Sequence, residues 1–321
     1  PTVAGSKKGA GVLVIGSANV DIVIETDKLP GPGETVLGGE CREYWGGKGA
    51  NQALAALKAG AQVRFVSMTG TDRHGVDYRK HLVSEGIQRK GLFIDPAPTG
   101  TALIVVDKKG ENQIAVSSGA NMRLTPRRLQ VSAGVLEYGK VVLAQLEIPI
   151  ASVATAYRAA RRRGAITILN PAPAPRSFPA NFFSLIDVII LNEGEAAKLS
   201  KQKESQSDSD FLSHCRAIRK MGVGAVVLTA GRNGALVHSD EGIGWIKPQG
   251  GILVVDTTGA GDVFSGAFAA SLTDGASILD SARFAVAAAS LSVRKKGAQG
   301  GVPSRRAILR AMKGLSWKPI S

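Results

Sequence analysis

The stretch that decides the fold is Asp256-Thr257-Thr258-Gly259-Ala260-Gly261-Asp262, which continues directly into Val263–Ala270. The apolar run Ile252–Val255 before it predicts a strand, and the Ala- and Phe-rich run after it predicts a helix. A glycine turn between a strand and a helix directs unpaired backbone N–H groups, and the positive end of the helix dipole, at one point. The sequence therefore predicts an anion site formed by the amides of Gly259, Ala260 and Gly261.

Asp262 places a carboxylate inside this predicted anion site. A carboxylate there is out of place unless it performs chemistry, such as accepting the proton of a hydroxyl that attacks phosphorus. The alternative, an aspartate that only caps the helix, explains an isolated Gly-x-Gly-Asp equally well. The choice between the two interpretations depends on the rest of the chain.

A second glycine turn, Gly46-Gly47-Lys48-Gly49-Ala50-Asn51-Gln52, opens a predicted Ala/Leu helix. Glycines let backbone amides approach a ligand closely, and Asn51 can both donate and accept hydrogen bonds. No Gly stands five residues before Gly47-Lys48 and no Ser or Thr follows the Lys, so a P-loop is excluded. Phe264 stands where a dinucleotide-binding turn would need its third Gly, which excludes that motif as well.

A third segment, Gly16–Asp21, follows the first predicted strand. Asn19 and Asp21 flank Val20, so their side chains lie on one side of the chain. A carboxylate can accept two hydroxyl donors, which suits the neighbouring hydroxyls of a sugar. The alternative is an Asx turn at the end of the strand, where Asn and Asp are common.

Together these three segments resemble the ribokinase branch of the PfkB family of carbohydrate kinases. The Gly46–Gln52 run is similar to the N-terminal signature of that family, and Asp256–Asp262 is similar to its C-terminal signature. The resemblance extends from about Val12 to about Leu309. Four more segments match in the family's order: Gln145-Leu146-Glu147, Asn170-Pro171-Ala172-Pro173, Asn192-Glu193-Gly194-Glu195 and Lys295-Lys296-Gly297-Ala298-Gln299.

The resemblance implies an enzyme that transfers the terminal phosphoryl group of ATP, carried with Mg²⁺, to O5 of D-ribose, with Asp262 as the general base. The sugar contacts that it implies are Asn19, Val20, Asp21, Gly47, Lys48, Gly49, Ala50, Asn51, Glu147 and Asp262. The nucleotide contacts that it implies are Asn192, Glu195, Thr229, Ala230, Gly231, Arg232, Asn233, Gly234, Gly261, Asp262 and Val286.

Each of these assignments has a structural alternative. Glu147 is otherwise a surface loop residue, Asn192 with Glu195 forms a helix cap, and residues 229–234 form a plain connection to a hairpin strand. The resemblance also implies a bound K⁺, held largely by carbonyl oxygens. Its predicted ligands are Asp256, Thr258, Ser292, Lys295, Gly297 and Gly301, of which Gly301 lacks the side-chain oxygen that relatives commonly supply through Ser.

Strand and helix patterns alternate along most of the chain, which predicts an α/β fold with a doubly covered, mostly parallel central sheet. Residues 21–44 and 92–118 break this rhythm with β-type segments that have no helix between them, so they predict a separate small sheet. The main domain is assigned residues 1–20, 45–91 and 119–321. By resemblance, the small sheet is a lid over the sugar and the contact of a homodimer.

Composition narrows the remaining possibilities. Formal net charge is +14, but Lys and Arg are scattered in short groups and aromatic residues make up only 5%, so we expect no nucleic-acid partner. No apolar run approaches membrane-spanning length, and the first ten residues are expected to form a flexible tail without a signal core. Cys41 and Cys215 lie far apart, which favours the cytoplasm or another reducing compartment.

Two functional alternatives stay open on the sequence alone. One is another PfkB-family kinase, acting on deoxyribose, a nucleoside or a hexose. The other is a sugar or nucleotide sensor without catalysis on the same fold, against which the intact Asp262 and its glycine turn argue.

Overall fold

The structure is a computed structural model, and it describes residues 11–132, 134–203 and 207–320. The predicted tail at residues 1–10 lies outside these ranges. Ten of the strands form one central sheet. These strands are β1 (Val12–Ile15), β4 (Val63–Gly70), β5 (Leu92–Asp95), β8 (Val141–Ala144), β9 (Ile166–Leu169), β10 (Val188–Asn192), β11 (Ala225–Thr229), β12 (Ala235–Ser239), β13 (Gly242–Ile246) and β14 (Trp317–Pro319).

The strand order across this sheet is β14-β13-β12-β11-β10-β9-β8-β1-β4-β5. All pairs from β5 to β11 are parallel, and the last three strands, β12 to β14, are added antiparallel at one edge. The carboxyl ends of seven strands therefore meet at one edge of the sheet, which is where α/β folds place their ligands.

Helices cover both faces of the central sheet. They are α1 (Lys48–Lys58), α2 (Arg73–Ser84), α3 (Pro126–Val131), α4 (Ile150–Arg162), α5 (Glu193–Ser200), α6 (Asp208–Arg219), α7 (Ala260–Thr273), α8 (Ile278–Ser292) and α9 (Arg305–Met312). One core holds side chains of α1, α2, α7, α8 and α9, and the other holds side chains of α3, α4, α5 and α6. The predicted double cover is confirmed.

Local sequence explains where several helices begin. The side chains of Asp72, Ser207 and Ser277 accept hydrogen bonds from backbone amides three residues later, and so cap α2, α6 and α8. Helix α7 differs, because every residue from Asp262 to Leu272 is buried. A helix that is buried all round belongs inside the protein, and α7 lies between α1 and α8.

A second, four-stranded sheet lies beside the central one. Its strands are β2 (Asn19–Thr26), β3 (Gly38–Gly46), β6 (Gly100–Val106) and β7 (Asn112–Ser117), in the order β3-β2-β6-β7. Strand β2 begins four residues after β1 ends, so the chain passes directly from the carboxyl edge of the central sheet into the small sheet. The predicted separate small sheet is confirmed.

Two sequence-based assignments need correction. Ile252–Val255 is not a strand, because its residues make no ladder and Leu253, Val254 and Val255 are 71%, 57% and 48% exposed. Strand β5 (Leu92–Asp95) pairs with β4 at the edge of the central sheet, so the small sheet does not begin at residue 92. The run of four β-type residues at β5 does not reveal which sheet it will join.

Among the described residues, no helix combines the length and the apolar character that crossing a bilayer requires.

Candidate active site

Polar side chains follow the parallel strands at the carboxyl edge of the central sheet. Ser17 follows β1, Gln145 follows β8, Asn170 follows β9, and Asn192 is the last residue of β10. The first turns of α1 and α7 lie against this edge, because Ala50 N donates to Ser17 O at 2.9 Å and Asp262 bonds to side chains of α1. This edge is the centre of the site.

Asp262 lies in the first turn of α7 and is only 7% exposed. Its Oδ2 accepts from Asn51 Nδ2 at 3.0 Å, and its Oδ1 accepts from Gln52 Nε2 at 2.9 Å. Two neutral N–H donors therefore hold the carboxylate in place. An ionised carboxylate has about four lone-pair positions, so each oxygen keeps the capacity to accept a further proton.

The glycine turn before Asp262 has the form expected of an anion site, with one difference. Gly259 adopts φ of 74° as the N-cap of α7, and an added Cβ would lie 2.6 Å from Cβ of Ala298. The Ala260 amide donates to Thr257 O at 3.1 Å, so it is already engaged within the turn. Gly261 and Asp262 occupy the first helical turn, where amides have no partner inside the helix. Of the three predicted amides, that of Ala260 thus already has a partner within the turn.

Asp21 lies on β2 against the backbone of Gly46, where an added Cβ would come within 2.1 Å of Asp21 Oδ2. This close approach is possible only because residue 46 is Gly. Burial, together with the negative charges of Glu147 and Asp262, raises the pKa of Asp21 from 3.8 to about 7, although Lys48 opposes the rise. Asp21 is half-buried, and none of the described residues donates a hydrogen bond to its carboxylate.

Asn19 and Val20 are also buried at the start of β2, with exposures of 3% and 0%. Asn121, more than a hundred residues away, holds this segment: its Nδ2 donates to Asn19 Oδ1 at 2.7 Å, and its Oδ1 accepts from Ala18 N at 3.0 Å. The hydrogen bond to Asn19 Oδ1 therefore fixes which way the Asn19 amide is turned. The sequence contained no signal for Asn121.

Glu147 lies beside the start of α1, where its Oε2 accepts from the amide of Lys48 at 3.0 Å. The buried hydroxyl of Ser17 donates to the same oxygen, and Ser17 Oγ accepts from Gly49 N at 3.3 Å. Gly47, the N-cap of α1 with φ of 87°, completes this turn. The predicted sugar-contact residues therefore lie together.

The side chain of Lys48 carries the positive charge of the site. The charge of Asp262 raises the pKa of Lys48 despite its burial, and Glu147, Glu195 and Asp21 act in the same direction. Lys48 is thus held as an ammonium among four carboxylates. It offsets part of the negative charge that would otherwise accumulate here.

Asn192 and Glu195 form a capping box at the start of α5. Asn192 Oδ1 accepts from Glu195 N at 2.8 Å, and Glu195 Oε2 accepts from Asn192 N at 3.0 Å. Burial raises the pKa of Glu195, while the amide of Asn192 and the charge of Lys48 oppose the rise. The pair therefore does form the helix cap that was the alternative to a nucleotide site. The Glu195 carboxylate also interacts with the charge of Lys48.

The segment 229–234 forms a short 3-10 turn between β11 and β12, with Gly231, Arg232 and Asn233 exposed. It closes through Ala230 N donating to Gly234 O at 2.8 Å. The structure therefore places a turn with exposed polar groups at the end of a parallel strand. Val286 lies on α8 and is 3% exposed, because its side chain belongs to the core that α8 shares with α1 and α7.

Asp256 joins two of the segments that carry the predicted K⁺ ligands. Its Oδ1 accepts from Thr258 N at 2.8 Å and its Oδ2 accepts from Gly297 N at 2.7 Å. Burial raises the pKa of Asp256, but the hydrogen bonds from Thr258 and Gly297 leave it below its ordinary value. One carboxylate and several carbonyls are hard oxygen donors, which suit an alkali cation.

Gly301 fits closely into the same region. An added Cβ would lie 2.5 Å from the carbonyl oxygen of Ser292, so a serine there requires a backbone shift. The predicted ligands are therefore oxygen donors of the type that K⁺ prefers, but residue 301 supplies no side-chain oxygen. Within the described ranges, no group of three or more His, Cys, Asp or Glu side chains forms a transition-metal type of cluster.

Sequence reasoning missed Gln299, which connects the 295–299 segment to the site. Its Nε2 donates to Asn51 Oδ1 at 3.0 Å and to the Tyr78 hydroxyl at 3.1 Å. Both N–H groups are then used, so its Oε1 accepts from His81 Nε2, 3.0 Å away. Gln299 stands at the end of a family-like segment, but the sequence does not show which element it faces.

Comparison with known proteins supports the family resemblance. The family described as pfkB family carbohydrate kinase matches residues 10–305. A ribokinase of Haemophilus influenzae is 36% identical over 299 residues, covering 93% of this chain and 97% of that protein. A ribokinase of Mus musculus is 34% identical over 310 residues, covering 95% of this chain and 96% of that protein. The chain spans 56% of the length of a bifunctional ribokinase/ribose-5-phosphate isomerase A from Fructilactobacillus sanfranciscensis, to which it is 36% identical.

Solved structures agree. A ribokinase from Thermotoga maritima superposes with a TM-score of 0.84 at 32% identity, covering 95% of this chain and 100% of that one. An Arabidopsis thaliana ribokinase complexed with ribose and ATP superposes with a TM-score of 0.83 at 31% identity. The match covers 95% of this chain and 99% of that one. The predicted α/β fold with its small additional sheet is confirmed, and the chain belongs to the pfkB family of carbohydrate kinases.

Proposed function

We propose that this protein is an ATP-dependent ribokinase, which converts D-ribose and ATP to ribose 5-phosphate and ADP. The observation that carries the proposal is the position of Asp262, a buried carboxylate in the first turn of α7 whose charge interacts with those of Lys48 and Asp21. Relatives named ribokinase, one of them solved with ribose and ATP, support the same conclusion.

The reaction follows from this arrangement. Asp262 accepts the proton of the ribose O5 hydroxyl while O5 forms a bond to the terminal phosphorus of ATP. The bond from that phosphorus to the bridging oxygen breaks, and ADP leaves with the bonding electrons. The amides at the start of α7 stabilise the charge on the transferring group, because phosphoryl transfer depends mainly on position and electrostatics.

The sugar end of the site combines acceptors with donors. Asp21 and Glu147 offer carboxylate oxygens to hydroxyl donors. Lys48 and Asn51 supply N–H groups, as does Nδ2 of Asn19, whose Oδ1 already accepts from Asn121. A pentose with several free hydroxyls matches such a set better than an apolar ligand does. We therefore assign ribose to this end, with O5 toward Asp262.

The proposal is tested by measuring ADP release with a panel of ribose, 2-deoxyribose, fructose and nucleosides. We expect ribose to give the highest kcat/KM. Faster turnover of a nucleoside or a hexose assigns the protein to another branch of the family. Binding of sugar and nucleotide without any ADP release makes it a sensor and ends the proposal.

The raised pKa of Asp21, about 7, predicts a pH dependence of kcat/KM for ribose. Protonated Asp21 can no longer accept two hydroxyl donors, so kcat/KM is expected to fall about tenfold per pH unit below about pH 7. The Asp21→Asn variant is expected to have a low kcat/KM whose pH profile lacks this acid limb, the fall below about pH 7. A limb that persists unchanged in Asp21→Asn assigns the titration to another group.

The same group affects stability with a defined sign. Between 3.8, its ordinary pKa, and about 7, folded Asp21 holds a proton that the unfolded chain has lost. The Asp21 contribution to the free energy of unfolding therefore decreases as pH rises through this window. Urea denaturation at pH 5 and pH 7.5 should show a smaller loss with rising pH in Asp21→Asn than in the unchanged protein.

The proposal includes Mg²⁺ with the nucleotide and a resident K⁺. Asn192 would contact the nucleotide phosphates, and Glu195 would act through Mg²⁺-bound water near them. The exposed turn at 229–234 and Val286 would contact the nucleotide. K⁺, when bound, supplies a fixed positive charge beside the turn before Asp262. Its ligands would be Asp256, Thr258, Ser292, Lys295, Gly297 and Gly301.

The small sheet is proposed as a lid over the sugar and as a homodimer contact. Pairing registers place Asp21, Ala102 and Val116 on one face of the sheet, with Ile114 two residues from Val116 on that face. Ile114 and Val116 are 56% and 51% exposed. Apolar side chains beside a polar site support a contact with a second copy.

Ile114→Glu is expected to raise the dimer dissociation constant at least about tenfold, because burying such a side chain contributes roughly 1.5–3 kcal/mol. Sedimentation across a concentration series measures this. Gln113→Glu, on the opposite face of β7, is the matched control and should leave the dimer unchanged. A monomer at every concentration in the unchanged protein contradicts the proposal.

We also propose a reducing intracellular compartment such as the cytoplasm. Both cysteines are free: Cys41 is exposed on β3 and Cys215 is buried in α6. Burial raises the pKa of Cys215 to about 12, so this thiol stays protonated and unreactive.

A further inference from the structure

Gln52 has a wholly buried side-chain amide that contacts Asp262, the proposed base. Its exposure is 0%, and it lies in α1 directly after Asn51. Its Nε2 donates to Asp262 Oδ1 at 2.9 Å and to Asn170 Oδ1 at 3.1 Å. A primary amide nitrogen carries two protons, so these two bonds use both of them.

The neighbours of Gln52 fix the direction in which its amide points. Gln145 Nε2 donates to Gln52 Oε1 at 2.5 Å. Asn170 Nδ2 donates to the main-chain carbonyl of Ile190 at 3.0 Å, so its Oδ1 must face Gln52. If the Gln52 amide turned over, its oxygen would meet two acceptors and its nitrogen would meet a donor. Only this orientation gives each polar atom of the Gln52 amide a suitable partner.

We propose that Gln52 is a positioning residue, which holds Asp262 in the orientation that proton transfer needs. This inference rests on the proposed function. Gln52 is not among the predicted sugar or nucleotide contacts and acts only through Asp262. A hydrogen bond donated to a carboxylate stabilises the charged form over the protonated form.

The test uses Gln52→Glu, which keeps the size and shape of the side chain. Gln145 can still donate to one oxygen of the new carboxylate, but the other oxygen faces two acceptors, on Asp262 and Asn170. The two carboxylates must then share a proton, which raises the pKa of the pair. The acid limb of kcat is expected to move up by about one pH unit or more, with kcat at pH 7 falling at least about tenfold.

The other charged groups that face Asp262 are Lys48, Asp21 and Glu195, with Glu147 beyond Lys48. None of them changes in the variant. The KM for ribose should therefore stay within about threefold of its original value, since the sugar contacts remain. This split between kcat and KM separates positioning from a loss of binding.

Gln52→Met is the second variant, because a buried extra carboxylate can prevent folding. It keeps the length of the side chain and removes the donor, and kcat is expected to fall about tenfold with a smaller rise of the acid limb. Gln130→Glu, on an exposed position of α3, is the matched control and should change neither quantity. Thermal melts of all variants accompany the kinetics.

The outcomes are distinct. A wild-type acid limb and kcat in folded Gln52→Met overturn the proposal, even where Gln52→Glu does not fold. A lower Tm with an unchanged pH profile also overturns it, since that result describes a purely structural residue. Failure of the unchanged protein to phosphorylate ribose instead refutes the proposed function.

Discussion

Asp262→Asn is expected to lower kcat for ribose phosphorylation by about two to four orders of magnitude, because the variant has no base for the O5 proton. Its amide has nearly the shape of the carboxylate, but both oxygens of Asp262 accept N–H groups, from Asn51 and Gln52. The new Nδ2 must face one of these donors, so one hydrogen bond is lost as well. Ribose should still bind, since Asp21, Glu147 and Lys48 are unchanged. Isothermal titration measures binding and ADP release measures kcat.

Asp77→Asn is the matched control, because Asp77 is a half-exposed carboxylate of α2 that pairs with Arg73 and Lys80 on the same helix. Its kcat should equal that of the unchanged protein. Wild-type turnover in Asp262→Asn would refute the assigned base. Loss of ribose binding along with turnover would instead indicate that Asp262 mainly organises the sugar site.

Gly259→Ala is expected to destabilise the protein by about 2–5 kcal/mol and to reduce kcat at least about tenfold. The residue adopts φ of 74°, which costs an L-residue roughly 1–2 kcal/mol. Its new Cβ would lie 2.8 Å from Cα of Ala298, and such overpacking costs roughly 1–3 kcal/mol more. Relief of this clash moves the amides at the start of α7 away from the phosphoryl group. Urea denaturation and ADP release measure the two effects.

Gly250→Ala serves as the control, because an added Cβ there meets nothing within 4 Å. It should alter neither stability nor turnover by more than a small fraction of the Gly259→Ala effect. A Gly259→Ala variant with full activity would show that the turn tolerates a different backbone, and the anion site would then need another origin.

Sequence alone predicted the strongly patterned parts of the fold. Strands β1 (Val12–Ile15) and β9 (Ile166–Leu169) are short apolar runs rich in β-branched residues, which is the pattern typical of buried parallel strands. Ile252–Val255 has the same composition but is exposed and unpaired, since no neighbouring strand is available to it. Composition describes what a segment can do, and only tertiary contact decides whether it does so.

The site was predictable to a similar degree. Asn51, Lys48 and Asp21 stand in recognisable segments, and the structure brings them to the edge that also holds Asp262. Asn121, Gln299 and the role of Gln52 were not predictable, because each acts through a hydrogen bond to a residue far away in the chain. The hydrogen bond from the Ala260 amide to Thr257 O was not predictable either, because residue spacing does not reveal it.

The two bonds that hold Asp262 join residues 211 and 210 positions apart in the chain. Closing so long a segment carries an entropic cost that must be met before either bond forms. Neither half of the polypeptide can hold the base by itself, since one half supplies the donors and the other the acceptor. The polypeptide therefore becomes competent for this chemistry only after α7 has packed against α1, so partially synthesised chains that lack residue 262 have no base.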